Sequence, residues 1–294
     1  MTPSPAPDLR QALAALSAPS DQGGSRSPGS AGTAGGRQRQ AKRGTTSALS
    51  IDETLLLHSA GWEPVDLVFG VSWWSIPWGV WQWQSGEVEE ASAAFAGAMG
   101  QASALLRDEC AKAGGSGVLG VDVETRVASH HVAVTLSGTA VRPVGEARGG
   151  SPFTSDMSAR DFVLLTRAGW WPLGVVAGAS FVIAPRRSAR QWAAQQTQNI
   201  ELPNLTQALY LARERAMERL QEAGTAVGAD GVVAVKMTEG PLRHSNRILQ
   251  FVTVGTGVHL RDGVHRTIQP SMVVGLDELV RQFEAANLRR PPGR

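Results

Sequence analysis

One segment occurs twice in this chain, and that limits what it can fold into. Residues 60–72 read AGWEPVDLVFGVS and residues 168–180 read AGWWPLGVVAGAS, with seven of thirteen positions identical. The identities are Ala60/Ala168, Gly61/Gly169, Trp62/Trp170, Pro64/Pro172, Val68/Val176, Gly70/Gly178 and Ser72/Ser180. Two further blocks recur in the same order. Gly114-Gly115-Ser116-Gly117-Val118-Leu119 answers to Gly228-Ala229-Asp230-Gly231-Val232-Val233, and Gly138-Thr139-Ala140-Val141 to Gly255-Thr256-Gly257-Val258. The offset grows from 108 to 114 to 117, as it does when insertions fall in loops. Blocks that recur in order mark a duplicated unit. The chain reads as tandem repeats over residues 47–146 and 154–262.

Each repeat has the same plan. An opening segment (51–58, 159–166) leads to the Ala-Gly-Trp turn, then a β-rich strand, Val65–Ser72 or Leu173–Ile183. A variable loop and a helix follow. The second helix carries the stripe Leu209, Ala212, Ala216 and Leu220, with Asn204 as the expected N-cap and Gln207 three residues on. The first carries Phe95, Ala98, Ala102 and Leu106, with Glu87, Glu89 and Glu90 near its start, where the helix dipole favours anions. Gly-rich turns end both helices, and short apolar strands follow. Val132, Val134 and Leu136 share one strand face. In the second repeat Leu249, Phe251 and Thr253 share one face while Ile248, Val252 and Val254 take the other, which suits a strand covered on both sides. The fold class expected is α+β: two tandem βαββ repeats with small antiparallel sheets. One helix cannot cover both faces of a sheet, so the sheets pair with each other or with other subunits.

The ends read differently. Residues 1–46 hold 18 Gly, Ser or Pro, no aromatic residue and six Lys/Arg against Asp8 and Asp21. Such a segment buries too little surface to offset its ordering entropy, so it reads as a disordered basic tail. The remaining residues sum to −2, which gives no reason to expect nucleic-acid binding. Residues 263–294 form a second tail, in which Leu276, Leu279, Val280 and Phe283 have the spacing of an amphipathic helix. Leu67–Gly86 and Ala168–Pro185 are uncharged, but Gly, Ser and Pro interrupt both, so they read as strands and loops, not membrane spans. No secretory leader is visible and there is a single cysteine, Cys110, so a cytoplasmic location is expected, with a membrane-peripheral one as the alternative.

These motifs resemble the YbjQ-like family, the heavy-metal-binding domain by name. The resemblance rests on the helix Ala212-Arg213-Glu214-Arg215-Ala216-Met217-Glu218-Arg219-Leu220, on Val227-Gly228-Ala229-Asp230-Gly231-Val232-Val233, and on Gly255-Thr256-Gly257-Val258. The first repeat carries looser versions, among them Ser137-Gly138-Thr139-Ala140-Val141. The resemblance implies a dodecin-like βαββ unit assembling into ring-shaped homo-oligomers. It brings no established set of metal ligands with it.

Asp122 and Glu124 lie two apart on a strand, and the next strand brings His131 into consideration, a mixture that a divalent cation accepts. The second copy has Lys236 and Ile248 where Asp122 and His131 stand in the first, and Thr166 and Gly224 where His58 and Cys110 stand. A metal site shared by both repeats is not expected. No His-Glu-x-x-His, Gly-x-Ser-x-Gly or Walker-type loop occurs, so no enzyme is expected. What recurs is structural: Gly61, Gly70, Gly117, Gly138 and Thr139 against Gly169, Gly178, Gly231, Gly255 and Thr256. Trp62 and Trp170 read as anchors between repeats. Trp73, Trp74, Trp78, Trp81 and Trp83 crowd one loop of the first repeat. They suit, in order of preference, an oligomer interface, a membrane surface or an aromatic ligand pocket. The expected function is a non-enzymatic, homo-oligomeric binding or scaffold module. A peripheral membrane protein and a metal-binding protein are the alternatives.

Overall fold

The computed structural model describes residues 46–81, 85–145, 150–186, 202–242, 245–261 and 265–266. The expectations for the N-terminal tail up to residue 45, for Trp83 and for the helix around Leu276–Phe283 lie outside the described residues.

The opening segments of both repeats are helices. α1 (Ile51–Ser59) starts at a capping box: Ser50 accepts from the Glu53 backbone N–H, and the Glu53 carboxylate accepts from the Ser50 backbone N–H. After the Gly61 turn, β1 (Trp62–Ser75) runs out and the two-residue β2 (Gly86–Glu87) follows. Then come α2 (Glu89–Lys112), β3 (Gly117–Val127), β4 (His131–Pro143) and the short β5 (Phe153–Thr154). The second repeat continues with α3 (Ala159–Arg167), β6 (Trp170–Ile183), α4 (Pro203–Ala226), β7 (Gly231–Leu242) and β8 (Ser245–Leu260). Ser158 caps α3 as Ser50 caps α1. Gly61 and Gly169 take φ of +79° and +91°, the left-handed region that lets helix turn into strand there.

Two four-stranded sheets result, in the orders β1-β4-β3-β5 and β2-β6-β8-β7. The registers match. β1 and β4 run from Trp62↔Pro143 to Ser75↔His131 with a bulge after Pro64, and β6 and β8 run from Trp170↔Leu260 to Ile183↔Ile248 with a bulge after Pro172. The short strands change sides: β2 of the first repeat extends the second sheet, and β5 of the second repeat extends the first sheet.

The layers run first sheet, α2, second sheet, α4. One core joins Phe95, Ala98 and Leu106 of α2 to Val134 and Leu136 of β4 and also to Val175, Ala179 and Phe181 of β6. On the far side of β6, Ala212 and Ala216 of α4 pack on Val182, Leu249 and Phe251. β8 is thus covered on both faces, with Ile248, Val252 and Val254 turned to the first core. The helices approach their strands closely because Gly70 and Gly178 lack a side chain. A Cβ there would lie 2.1 Å from the carbonyl oxygen of Ala102 or Ala216.

One local expectation needs correcting. Asn204 does not cap α4: Pro203 begins the helix, Leu202 stands at the cap without a side-chain bond, and Asn204 Nδ2 donates to the Pro185 carbonyl. Proline suits the first helical turn because its missing N–H would have no helical partner there. Glu87 stands near the start of α2, as expected, but in a strand and not in the helix. It sits in β2, and its carboxylate is taken across to the other repeat.

Candidate functional site

The best-built polar site is the joint between the repeats. After β5 the chain passes through Ser155, Asp156 and Met157, all buried. On one side they hold their own repeat. Thr256 Oγ1 lies 3.2 Å from Ser155 Oγ and accepts from Asp156 N–H at 3.0 Å, and Asp156 Oδ1 lies 2.6 Å from the same hydroxyl. On the other side they hold the first repeat: Ser155 N–H donates to the Val118 carbonyl, Val121 N–H to the Ser155 carbonyl and Gly120 N–H to the Met157 carbonyl. Lys236 Nζ stands 3.3 Å from Asp156 Oδ2, so the buried carboxylate has a cation beside it. The recurring Thr256 is thus the pin on which the second repeat's entry hangs. Thr139 is the same pin in the first repeat. It accepts from Ala48 N–H at 3.0 Å and lies 3.5 Å from Ser47 Oγ.

A second clasp closes the other edge. Glu87 in β2 accepts from Ser92 in α2 and from Ser180 in β6, and pairs with Arg219 in α4; Arg219 also donates to the Ala179 carbonyl. Burial pushes the Glu87 carboxyl upward, but the bonds from Arg219 and Ser180, the Arg219 charge and the bond from Ser92 outweigh it and hold it below the ordinary carboxylate value. Around the first clasp, Trp62 packs edge-on against Phe153 and Phe162 and tilts against Trp171. Trp62 thus touches Phe162 and Trp171 of the second repeat. Trp170 is half-exposed and donates to His265 Nδ1 instead.

The tryptophan cluster is not one patch. Trp81 packs edge-on against Phe181 of the second repeat and donates to the Ser129 carbonyl. Trp74 lies against Gly97 of α2, where a Cβ would meet its ring at 2.6 Å. Trp73 and Trp78 stack on His131 and His130 and leave much of their surface exposed. Among the described residues no helix is long and apolar enough to cross a membrane.

The proposed metal ligands do not converge. In the β3–β4 register Asp122 faces Ser137 and Glu124 faces Thr135, while His131 begins β4 opposite Ser75 of β1. At about 3.3 Å per residue, the four positions from Thr135 to His131 span about 13 Å, beyond the reach of shared ligands. Glu124 is instead paired with Arg126 at 2.8 Å. No group of three His, Cys, Asp or Glu among the described residues could hold a metal ion. Cys110 is buried at the end of α2; its thiol donates to the Gly117 carbonyl, and burial pushes it up to about 11. The recurring glycines serve close packing: Gly117 lies under the Phe153 ring, Gly138 under Val118 and Gly255 under Val232.

Of the joint's groups, Thr139, Thr256 and Trp62 were among the sequence-level candidates, and the others were not. Glu87 appeared only as a helix-dipole residue, and Ser155, Asp156, Lys236 and Phe153 carried no motif of their own.

The second sheet and its helix are the part that known families recognise. Residues 173–261 match the family described as "Putative heavy-metal-binding", the YbjQ-like domain. The chain is also 34% identical, over 252 residues, to an encapsulin nanocompartment protein of Mycobacterium tuberculosis. That match covers 82% of this chain and 95% of the relative. The chain belongs to the YbjQ-like family. The described residues of this YbjQ-like chain supply no ligand set for the metal in the family's description.

Proposed function

We propose that this YbjQ-like chain is a non-enzymatic, self-assembling scaffold module that serves a protein nanocompartment. The observation that carries the reading is the joint between repeats. Its polar groups are spent on structure: the Ser155–Met157 backbone bonds Val118, Gly120 and Val121 of the first repeat, Thr256 and Lys236 hold Asp156 in place behind it, and Glu87 crosses to Ser180 and Arg219. The cysteine is buried and its thiol is held protonated, which suits packing and not nucleophilic chemistry. The relative's name supplies the compartment setting, and its match along nearly its whole length supports carrying that setting over.

Native mass spectrometry of the full chain, purified without a His-tag and without chelator, tests the reading. A defined oligomer with no added mass is the expected result. A strictly single chain at micromolar concentration would remove the assembly claim. A mass excess of one metal ion per chain would turn the reading toward cation binding.

A further inference from the structure

The joint runs one way. The second repeat's entry lies on β3 of the first, and the first repeat's β2 and α2 lie on β6 of the second. Among the described residues the reverse arrangement is absent: α4 does not pack on β1, and Thr46–Leu49 add no strand to β7. A one-way contact between like units is heterologous and leaves one unused half at each end. Both halves are present, and the duplication identifies them residue by residue.

The first half is the outer face of the first sheet. Leu67, Phe69, Val71 and Trp73 correspond to Val175, Ala177, Ala179 and Phe181 of β6, the face that α2 covers within the chain. Phe181 and Ala179 are 0% and 1% exposed, whereas Phe69, Val71 and Trp73 are 46%, 45% and 67% exposed. Such a contiguous apolar strand face marks an interaction surface. Beside it, Thr46–Leu49 lie partly or fully exposed, while their counterparts Thr154–Met157 are buried in the joint.

The second half is the far side of α4 and β7. Leu205 and Leu209 correspond to Ala91 and Phe95 of α2, which are fully buried in the core that both sheets share; the two leucines pack on their own repeat's core and stay only partly buried. Met237 is 59% exposed, whereas its counterpart Val123 packs into the core. A Cβ at Gly117 would strike the Phe153 ring, yet a Cβ at Gly231 would meet nothing. The backbone is already shaped for a partner. Gly120 takes φ +62° and turns its N–H to the Met157 carbonyl; its counterpart Ala234 takes φ +56°. A left-handed alanine costs on the order of 1–2 kcal/mol and persists where its surroundings or its function demand it.

We infer that α4 and β7 of one chain receive the β1 face and the Thr46–Leu49 segment of a second copy, repeating between chains the joint made within one. This rests on the assembling-module reading and gives it a direction. In that joint Thr46–Leu49 lie along Gly231–Val235 as Thr154–Met157 lie along Gly117–Val121. The apolar stripe of β1 lies on Leu205 and Leu209.

Two variants of the full chain test it by light scattering, with circular dichroism to verify folding. Val71→Lys spoils the first half and Leu209→Glu the second. The wild type is expected to associate, and each variant alone to run as a single chain, weakened about tenfold or more, as loss of a buried apolar anchor at an interface gives. Mixed in equal amounts, the two variants form a two-chain complex, because the intact second half of Val71→Lys meets the intact first half of Leu209→Glu. If Leu209→Glu fails to fold, Met237→Lys replaces it, since Met237 is exposed in the single chain. A mixture that stays single-chain, or variants that keep the wild-type mass, would overturn the directed joint while leaving assembly standing. A single-chain wild type would overturn both, with a terminal segment covering these faces as the outcome it points to.

Discussion

At Gly178 a Cβ would lie 2.1 Å from the Ala216 carbonyl oxygen and 2.6 Å from the Leu220 nitrogen, both backbone atoms of a packed helix. Neither atom can move alone, so Gly178→Ala is expected to destabilise by about 2–3 kcal/mol through overpacking. Gly100, exposed on α2 with nothing near its would-be Cβ, is the control. Gly100→Ala is expected to stabilise by about 0.5–1 kcal/mol, because a mid-helix glycine loses more backbone freedom on folding than alanine does. Urea denaturation of the two variants measures both signs. Glu87 gives a pH signature at the same scale. Its carboxyl is held below the ordinary value of 4.5. A lowered folded value contributes stability that is present above the unfolded value and lost as pH falls through the folded one. The stability gap between wild type and Glu87→Gln is therefore expected to be full at neutral pH and to close below about 4.5. Urea midpoints across that range would show it, and a gap unchanged at acid pH would contradict the clasp.

At the scale of elements, the caps make the next prediction. Ser50 and Ser158 each accept the backbone N–H three residues on. Ser158→Ala is expected to cost about 1 kcal/mol. Thermal melts would register it, and Asp at the same position should restore most of the loss. These helices also mark the limit of what was legible. The strands, α2 and α4 were readable because apolar periodicity and the repeated Ala-Gly-Trp turn announce them. The opening helices are short, and their stripe is shared between two repeats, so periodicity alone left them unassigned. Their signal was present as Thr46-Ser47-x-x-Ser50 against Thr154-Ser155-x-x-Ser158, a recurrence at offset 108 whose serines do the capping and whose inner Ser binds Thr139 or Thr256. The exchanged strands β2 and β5 are two residues each and have no pattern to read; only the partner sheet defines them. The divalent site failed for a register reason. Asp122, Glu124 and His131 look adjacent across a hairpin, but the turn at Ser129–His130 places His131 at the start of β4, while Glu124 and Asp122 stand opposite Thr135 and Ser137, four and six residues further along.

For the whole molecule, a joint within a chain and the same joint between chains differ in one thermodynamic respect. The first is unimolecular and its contribution does not change with protein concentration. The second follows mass action, so it strengthens by about 1.4 kcal/mol for each tenfold rise in concentration once association is well populated. For a domain pair of this size, about 1 kcal/mol moves the melting midpoint by about 2–4 °C. The wild type is therefore expected to gain a few degrees in Tm per tenfold concentration. Val71→Lys, which carries the within-chain joint intact and lacks the β1 face, should show a midpoint independent of concentration. Gly178→Ala, which weakens the packing of α4 on its own sheet, should lower the midpoint at every concentration and keep the wild-type slope. Differential scanning calorimetry over a hundredfold range separates the three. Equal slopes in wild type and Val71→Lys would show that the exposed β1 stripe contributes nothing to association, and that the two ends of the repeat pair do not meet.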